Sequence, residues 1–600
     1  MAWTEFTYLF VIALFCAGLD AFMIGANDVA NSWATSVSSR SLTLKQALLG
    51  AAILEFLGAV LVGARVAGTI RNNIIDIRVF NQDAGVILLA FTCVTVGAST
   101  WLTIATFNGM PVSTTHTVIG AIIGVGIAVG GGGAVRWGWN GVAQIIASWF
   151  IAPGVAGGLA AIVFLLCKFC ILRRKNPKKL AVLASPIFFF VVPCVLTTSI
   201  IVKGSPSLNL DELPPNQTAA AILGTGAVCC ALSVLFYLPW LYVQVIRKDY
   251  TVRWWHFFYG PLLWRRQPPA DAEEKMAVPD YYLGHHNDKD VFNPTPAQDP
   301  EAMHRANSDD NVSGEGKEIT VDQLTEQHPA TLAAVEEQYS SATHDRYGRP
   351  LPPKYRHYEG SAIEPWNAVI VLRYNALPWL IHSLTAGVRT DIHKAQATQG
   401  ASEKEILRLR RVHAHAEHFD NEAEHAFSFL QVLTACTASF AHGANDVANA
   451  IAPLTVVYSV WSSAEFPSSR EPVPIWILVY GGAMISIGLG IYGWRMMAVL
   501  GNRLTLHSPS RGFSMEFGAS ITVVLASYLA LPVSTTQSIT GATLAVSLCE
   551  GTWRSTNWKG FAWVFMSWVY TLPCAGLISG LLMAIVLNAP GWGTDVGIRP

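Results

Sequence analysis

The sequence predicts an all-α polytopic membrane protein with about twelve transmembrane helices in two inverted-topology repeats with broken helices, plus a large polar cytoplasmic loop. Three observations carry this. The 600 residues are 52% hydrophobic and 14% charged, and of the 40 basic and 41 acidic side chains, 47 lie between Arg247 and Glu424. The remainder is more apolar than a soluble fold buries. That remainder divides into runs of the roughly 20 residues a helix needs to cross a bilayer. One seven-residue motif also occurs twice, on runs an odd number of spans apart.

The runs lie near residues 6–30, 44–70, 85–107, 112–133, 142–172, 180–202, 218–246, 427–460, 472–500, 513–531, 533–549 and 558–588. The first has no basic leader and no small-residue cleavage signal after it, so it reads as a retained helix rather than a signal peptide. Orientation follows from basic residues near the ends of short loops. After the fifth run, Lys168, Arg173, Arg174, Lys175, Lys178 and Lys179 form the densest basic cluster of the apolar part, which assigns that side to the cytoplasm. Counting from there puts both termini outside and residues 247–425 inside. The opposite assignment would leave Asp211 and Glu212 inside and six basic residues outside. The chain thus divides into a membrane half over 1–246, a cytoplasmic loop over 247–425 and a second membrane half over 426–600.

The loop opens with Arg247 to Arg266, where basic residues alternate with Trp254, Trp255, Phe257, Phe258 and Trp264, a mixture suited to lipid headgroups. From Pro268 to Pro353 the composition is polar and Pro-rich, which predicts disorder. Residues 365–388 are too interrupted to span and are expected to lie on the membrane. Ser402 to Glu424 predicts a charged helix leading into the eighth run. Its His413, His415, Glu417, His418 and His425 lack HExxH spacing, so a solvated face is favoured over a zinc site.

Composition also excludes several classes. A net charge of −1 with no basic stripe argues against nucleic acid as a partner. Ten cysteines, most of them in apolar runs, lack the spacing of a metal site or a disulfide framework. No GxxxxGK[ST] loop occurs, and the chain reads as a non-enzyme. Asn216-Gln217-Thr218 is a glycosylation sequon close to the membrane.

Gly25-Ala26-Asn27-Asp28-Val29-Ala30-Asn31 recurs letter for letter as Gly443-Ala444-Asn445-Asp446-Val447-Ala448-Asn449. Pro111-Val112-Ser113-Thr114-Thr115 recurs as Pro532-Val533-Ser534-Thr535-Thr536, and Gly97-Ala98-Ser99 as Gly518-Ala519-Ser520. The seven-residue copies sit on the first and eighth runs and therefore cross the bilayer in opposite directions, as in transporters built from inverted repeats around a midplane site.

An Asp at a helix centre in the bilayer costs roughly 2.5–3.5 kcal/mol, so Asp28 and Asp446 need compensation. Each has Asn one position before it and three after, an oxygen-rich set suited to a hard cation. Gly25 and Gly443 would let the helix unwind there and offer carbonyls to an ion. In the second motif, Pro suits the first turn of a helix and Ser or Thr can cap it, leaving a helix N-terminus to cradle an anion. Taken singly, these are also an ordinary turn pair and an ordinary helix start. Exact duplication argues for a shared role, with packing inherited from a duplicated scaffold as the alternative. Glu55 and Glu516 are further acids in apolar runs, either interhelical hydrogen-bond partners or part of an ion path. Their nearness to the motifs favours the latter.

These residues resemble the inorganic phosphate transporter family of sodium- or proton-coupled permeases, whose signature is the two motif pairs. The similarity covers both membrane halves and little of residues 268–364. Ser39-Arg40-Ser41, Glu55-Phe56-Leu57-Gly58-Ala59 and Ser508-Pro509-Ser510-Arg511-Gly512-Phe513 look like the family's fungal sodium-coupled branch. The resemblance implies phosphate import by sodium symport and alternating access in the plasma membrane, as a homodimer in the lipid bilayer, with sodium the one metal and no other cofactor. It assigns phosphate to Asp28, Ser113, Thr114, Thr115, Asp446, Ser534, Thr535 and Thr536. Sodium goes to Asn27, Asp28, Asn31, Asn445, Asp446 and Asn449, and Glu55 and Glu516 become acids required for transport. The copies diverge at His116 and Gln537, so a titrating His116 would make the two sides of the cradle respond differently to pH. A proton-coupled permease and a phosphate-sensing receptor signalling through 247–425 stay open as alternatives.

Overall fold

The computed structural model describes residues 3–72, 77–139, 141–203, 213–271, 278–283, 349–357, 361–362, 364–393, 396, 403–467, 473–528 and 533–588. The first half holds α1 (Thr7–Asn27), α2 (Ala30–Ser38), α3 (Leu44–Asn72), α4 (Ala84–Phe107), α5 (Thr114–Gly130), α6 (Val142–Leu172), α7 (Pro177–Lys203) and α8 (Pro215–Val245). In the loop lie α9 (Leu377–Arg389) and α10 (Glu403–Ala414). The second half holds α11 (Asn421–Ser463), α12 (Ile475–Tyr492), α13 (Trp494–Leu500), α14 (Pro509–Tyr528), α15 (Thr535–Leu548) and α16 (Trp558–Asn588).

Among the described residues, each of the twelve apolar runs is helical over most of its length, yet eight segments are long and apolar enough to cross a membrane by length and composition. The others differ for physical reasons. α5 and α15 have 17 and 14 residues, roughly 25 and 21 Å at 1.5 Å per residue, because each starts at an internal Ser cap. α11 and α14 carry the buried polar side chains of the site and its surroundings, among them Gln431, His442, Asp446 and Glu516, which lower their hydropathy.

Helix contacts are exchanged between the halves. α1 packs on α12 as α11 packs on α3, α1 on α4 as α11 on α14, and α5 on α16 as α15 on α6. Gly25 and Gly443 set two of these crossings. A Cβ on Gly25 would overlap the carbonyl oxygen of Ile485 in α12, and one on Gly443 that of Glu55 in α3. This corrects the expectation of unwinding at the glycines. The first copy is interrupted only at Asp28 and Val29, with Asp28 still near helical dihedrals (φ −95°, ψ −33°), and the second runs unbroken through α11. Close packing, not carbonyl exposure, is what these glycines provide. Gly443→Val is therefore expected to lower the melting temperature and folded yield in detergent, since overpacking costs about 1–3 kcal/mol or more against rigid backbone.

Charged loops distant in sequence meet at one end of the bundle. Arg173 pairs with Glu417 at 2.7 Å and Lys178 with Glu422 at 2.7 Å, joining the basic loop after α6 to the acidic end of the insert. Buried Lys168 donates to the carbonyl of Cys549 and contacts Glu417 at 3.1 Å, and buried Arg511 pairs with Glu550 at 2.8 Å.

The insert departs from its expected form in three places. Most of the stretch predicted as disordered lies outside the described residues, but 278–283 docks on the membrane core. Tyr281 is buried and bonds His425 at 2.6 Å, Tyr282 donates to Glu424 at 3.0 Å, and Arg40 donates to the Leu283 carbonyl at 2.9 Å. The predicted charged helix stops at Ala414, and α11 begins afresh behind the cap of Asp420, which accepts from the Ala423 amide. The histidines do not form a solvated face. His413 contacts the Asn502 carbonyl at 2.6 Å and His425 the hydroxyl of Tyr281. Removal of residues 284–348 is expected to leave the melting temperature in detergent unchanged, whereas Tyr281→Ala with Tyr282→Ala lowers it, because it empties a buried site and strips Glu424 of a donor. The segment before α9 is helical from Pro365, with Trp366, Leu372 and Trp379 exposed, and Gly387 at its end abuts the backbone of α12.

Candidate functional site

The two Asp residues and the two short-helix N-termini meet at one buried centre. Ser113 caps α5 by accepting from the His116 amide at 3.3 Å, and Ser534 caps α15 by accepting from the Gln537 amide at 3.4 Å. With the serines engaged as caps, the threonines after them face the carboxylates. Thr114 donates to Asp28 Oδ2 at 3.0 Å, and Thr535 to Asp446 Oδ2 at 3.1 Å, so each repeat makes the same bond within itself. Bonds also cross between repeats. Thr536 donates to Asp28 Oδ1, while Asn449 donates to Thr114 at 2.9 Å and Thr115 at 3.2 Å, besides reaching Asp446 Oδ1 of its own repeat at 3.2 Å. Asp28, Asp446 and the four threonines are all buried.

The asparagines are not equivalent. Asn445 donates to Asp446 Oδ1 at 2.9 Å and Asn449 joins the centre. Asn27 turns away, giving its amide to Thr106 and the Met110 carbonyl, both at 3.0 Å, and accepting from the Val112 amide at 3.2 Å. Those three bonds use up the Asn27 amide, so it pins the turn before α5 instead of joining an ion cluster with Asp28. The side chain of Asn31 lies outside the described residues.

His442 joins Asp446 to Glu55. Its Nδ1 is 2.8 Å from Glu55 Oε2, whose other oxygen accepts from Ser439 at 2.8 Å. Its Nε2 is 2.6 Å from Asp446 Oδ2, an ion pair when the imidazole is protonated. Ligand atoms of Asp28, His442 and Asp446 lie within 4.8 Å of one another. Two oxygens at that span can share one hard cation with oxygen distances of roughly 2.3–2.6 Å. Glu516 sits in a separate cluster, accepting from Thr35, from Ser36 at 2.8 Å, from Thr434 at 2.6 Å and from Gln431 at 3.3 Å. His116 packs its ring on Trp149, with centroids 4.3 Å apart.

Sequence reasoning missed His442. Its signal was a mismatch immediately before the identical motif, since the residue before the first copy is Ile24. Comparison of the copies highlights what is shared and passes over what only one copy has.

A multi-pass helical bundle whose halves exchange contacts, with two acids and two helix N-termini at its centre, has the architecture of a membrane transporter. The chain matches the phosphate transporter family over residues 24–579. It is 42% identical to the phosphate-repressible phosphate permease pho-4 of Neurospora crassa, over 98% of this chain and 99% of that one. It is 29% identical to sodium-dependent phosphate transporter 2 of Homo sapiens, over 98% and 99%. A solved structure named the sodium-dependent phosphate transporter shares the fold, with a TM-score of 0.60 and 23% identity over 96% of this chain and 99% of that one. The chain belongs to the phosphate transporter family.

Proposed function

We propose that this protein imports inorganic phosphate across the plasma membrane by sodium symport, alternating access around the centre formed by Asp28 and Asp446. The observation that supports this best is the exchange of bonds between repeats, Thr536 to Asp28 and Asn449 to Thr114 and Thr115. A centre shared by two inverted repeats opens to either side when one repeat rocks against the other. In this reading the α5 and α15 N-termini and the hydroxyls of Thr114, Thr115, Thr535 and Thr536 receive the phosphate oxygens. Ser113 and Ser534 hold those termini in place. Sodium binds the carboxylates with Asn445 and Asn449, offsetting the repulsion between two buried acids. His442 orients Asp446, and Glu55 orients His442. Glu516 holds α2 and α11 against α14 and is required for the movement of one on the other. The termini face outward and residues 247–425 inward, following the basic loop after α6. The homodimer rests on the family resemblance.

A proton-coupled permease is the second reading, favoured by the line Glu55–His442–Asp446, which places two carboxylates on the two nitrogens of one imidazole. Uptake into proteoliposomes at fixed pH, with choline in place of sodium, tests the choice. Loss of concentrative uptake in choline is the result expected of sodium symport. Undiminished uptake driven by a proton gradient would replace it with the second reading.

A further inference from the structure

On the face that carries the insert, away from the Asp centre, two adjoining cavities of about 540 and 530 Å³ share Arg408, Asn557 and Lys559 in their walls. Four segments distant in sequence build them: α10, the end of α4, the stretch from Arg495 to Leu504, and the loop from Trp553 into α16. Among the described residues the cationic groups lining the pair are Arg408, Arg411, Arg495, Arg503, Arg554 and Lys559, and the one carboxylate is Glu405. The positions are held by backbone. Arg503 Nε donates to the Gln396 carbonyl at 3.1 Å, and Asn557 donates to the Arg503 carbonyl at 2.7 Å. Burial outweighs the neighbouring Glu405 and holds the Arg503 guanidinium below the ordinary arginine range. Such a concentration of one sign in a walled recess focuses potential on its interior.

We propose that these cavities form a binding site for an anion bearing several phosphate groups, a phosphorylated inositol ring presented either as a soluble polyphosphate or as a lipid headgroup. Charge number decides the class. A single orthophosphate carries at most two charges near neutral pH, fewer than the cations that line the pair even after Glu405 is set against them, whereas three or more phosphates on one ring match them. Arginine forks and a lysine suit phosphate oxygens, the former through paired N–H donors. Shared walls let one ligand occupy both cavities. Trp558 and Trp563, exposed by 45% and 50% at the rim, are residues that settle at a membrane interface and would admit a headgroup as readily as a soluble ring.

The test uses the purified full-length protein. Inositol hexakisphosphate is titrated calorimetrically against the protein in detergent. In parallel, protein in nanodiscs containing phosphatidylinositol bisphosphate is compared with protein in nanodiscs of equal charge made with phosphatidylserine. Saturable binding of either probe is expected. It should weaken at least about tenfold in Arg408→Glu with Lys559→Glu, as loss of charge-assisted hydrogen bonds implies. The milder Arg408→Ala with Lys559→Ala should show a smaller loss in the same direction, which guards against misfolding of the reversal. Lys179→Glu, on the exposed surface, controls for net charge, and Asp28→Asn should bind as the unmodified protein does. Binding of the soluble probe alone identifies a free polyanion, and preference for the phosphoinositide alone identifies a headgroup. No binding of either, equal loss in Lys179→Glu, or orthophosphate binding in Asp28→Asn as tight as that of the polyphosphate would overturn the proposal.

Discussion

Asp28→Asn and Asp446→Asn should each abolish sodium-driven phosphate uptake while the protein still inserts and folds. Two losses combine. The carboxylate of Asp28 accepts from Thr114 and from Thr536, one donor from each repeat, and an amide in its place turns one of its two oxygens into a donor. One threonine hydroxyl then faces N–H. The negative charge that sodium needs is gone as well, in a buried place where removing one partner of a charge pair costs about 3–5 kcal/mol, roughly two orders of magnitude or more in affinity. Asp446 accepts from Asn445, Asn449 and Thr535 and touches His442, so its replacement also leaves the imidazole with Glu55 alone. The measurement is uptake of radioactive phosphate at equal amounts of reconstituted, monodisperse protein. Normal uptake by either variant would remove its carboxylate from the ion and phosphate centre. His442→Gln separates orientation from charge, because Gln can still donate to one acid but cannot bridge two. It is expected to raise the phosphate KM more than it lowers kcat.

How much of this was legible in the sequence follows the distinction between local and tertiary information. Spans, motif duplication and the capping of α5 and α15 are written in short windows, and each of them reads directly from residue type. Asn27 shows the limit. Its place beside Asp28 suggested one cluster, yet its amide is taken by Met110 and Val112, more than 80 positions away. The pairing of Glu55 with Ser439 and His442 joins α3 to α11, and no periodicity within either helix points to it. Residues 278–283 likewise read as polar linker because Tyr281 finds His425 only after the chain has folded. The glycines of the repeated motif were conspicuous. Their meaning was not, since the same residue type serves an unwound helix and a close crossing.

Selectivity between phosphate and sulfate should exceed ~100-fold, although the two anions have nearly the same size and shape. Near neutral pH phosphate keeps at least one proton and sulfate keeps none. A cradle of donors alone would scarcely separate them. Here the threonine hydroxyls already donate to carboxylates, Thr114 and Thr536 to Asp28 and Thr535 to Asp446. For a hydroxyl to turn toward an anion, its carboxylate must give up that donor. Phosphate makes the exchange even, because its own O–H replaces the threonine's on the carboxylate. Sulfate takes the hydroxyl and returns nothing, leaving a buried carboxylate short of a donor beside a second negative charge. That repulsive pairing supplies the discrimination, and it is worth several kcal/mol when the group left unpaired is charged. Millimolar sulfate should therefore compete poorly with phosphate uptake at pH 7, whereas arsenate, which keeps a proton at that pH, should compete well. Thr114→Ala with Thr535→Ala should weaken phosphate and arsenate together without admitting sulfate, since those residues donate and the carboxylates discriminate. Strong inhibition of the unmodified protein by sulfate would show that neither Asp28 nor Asp446 accepts the phosphate proton, and the exchange of donors would then have to be abandoned as the basis of selectivity.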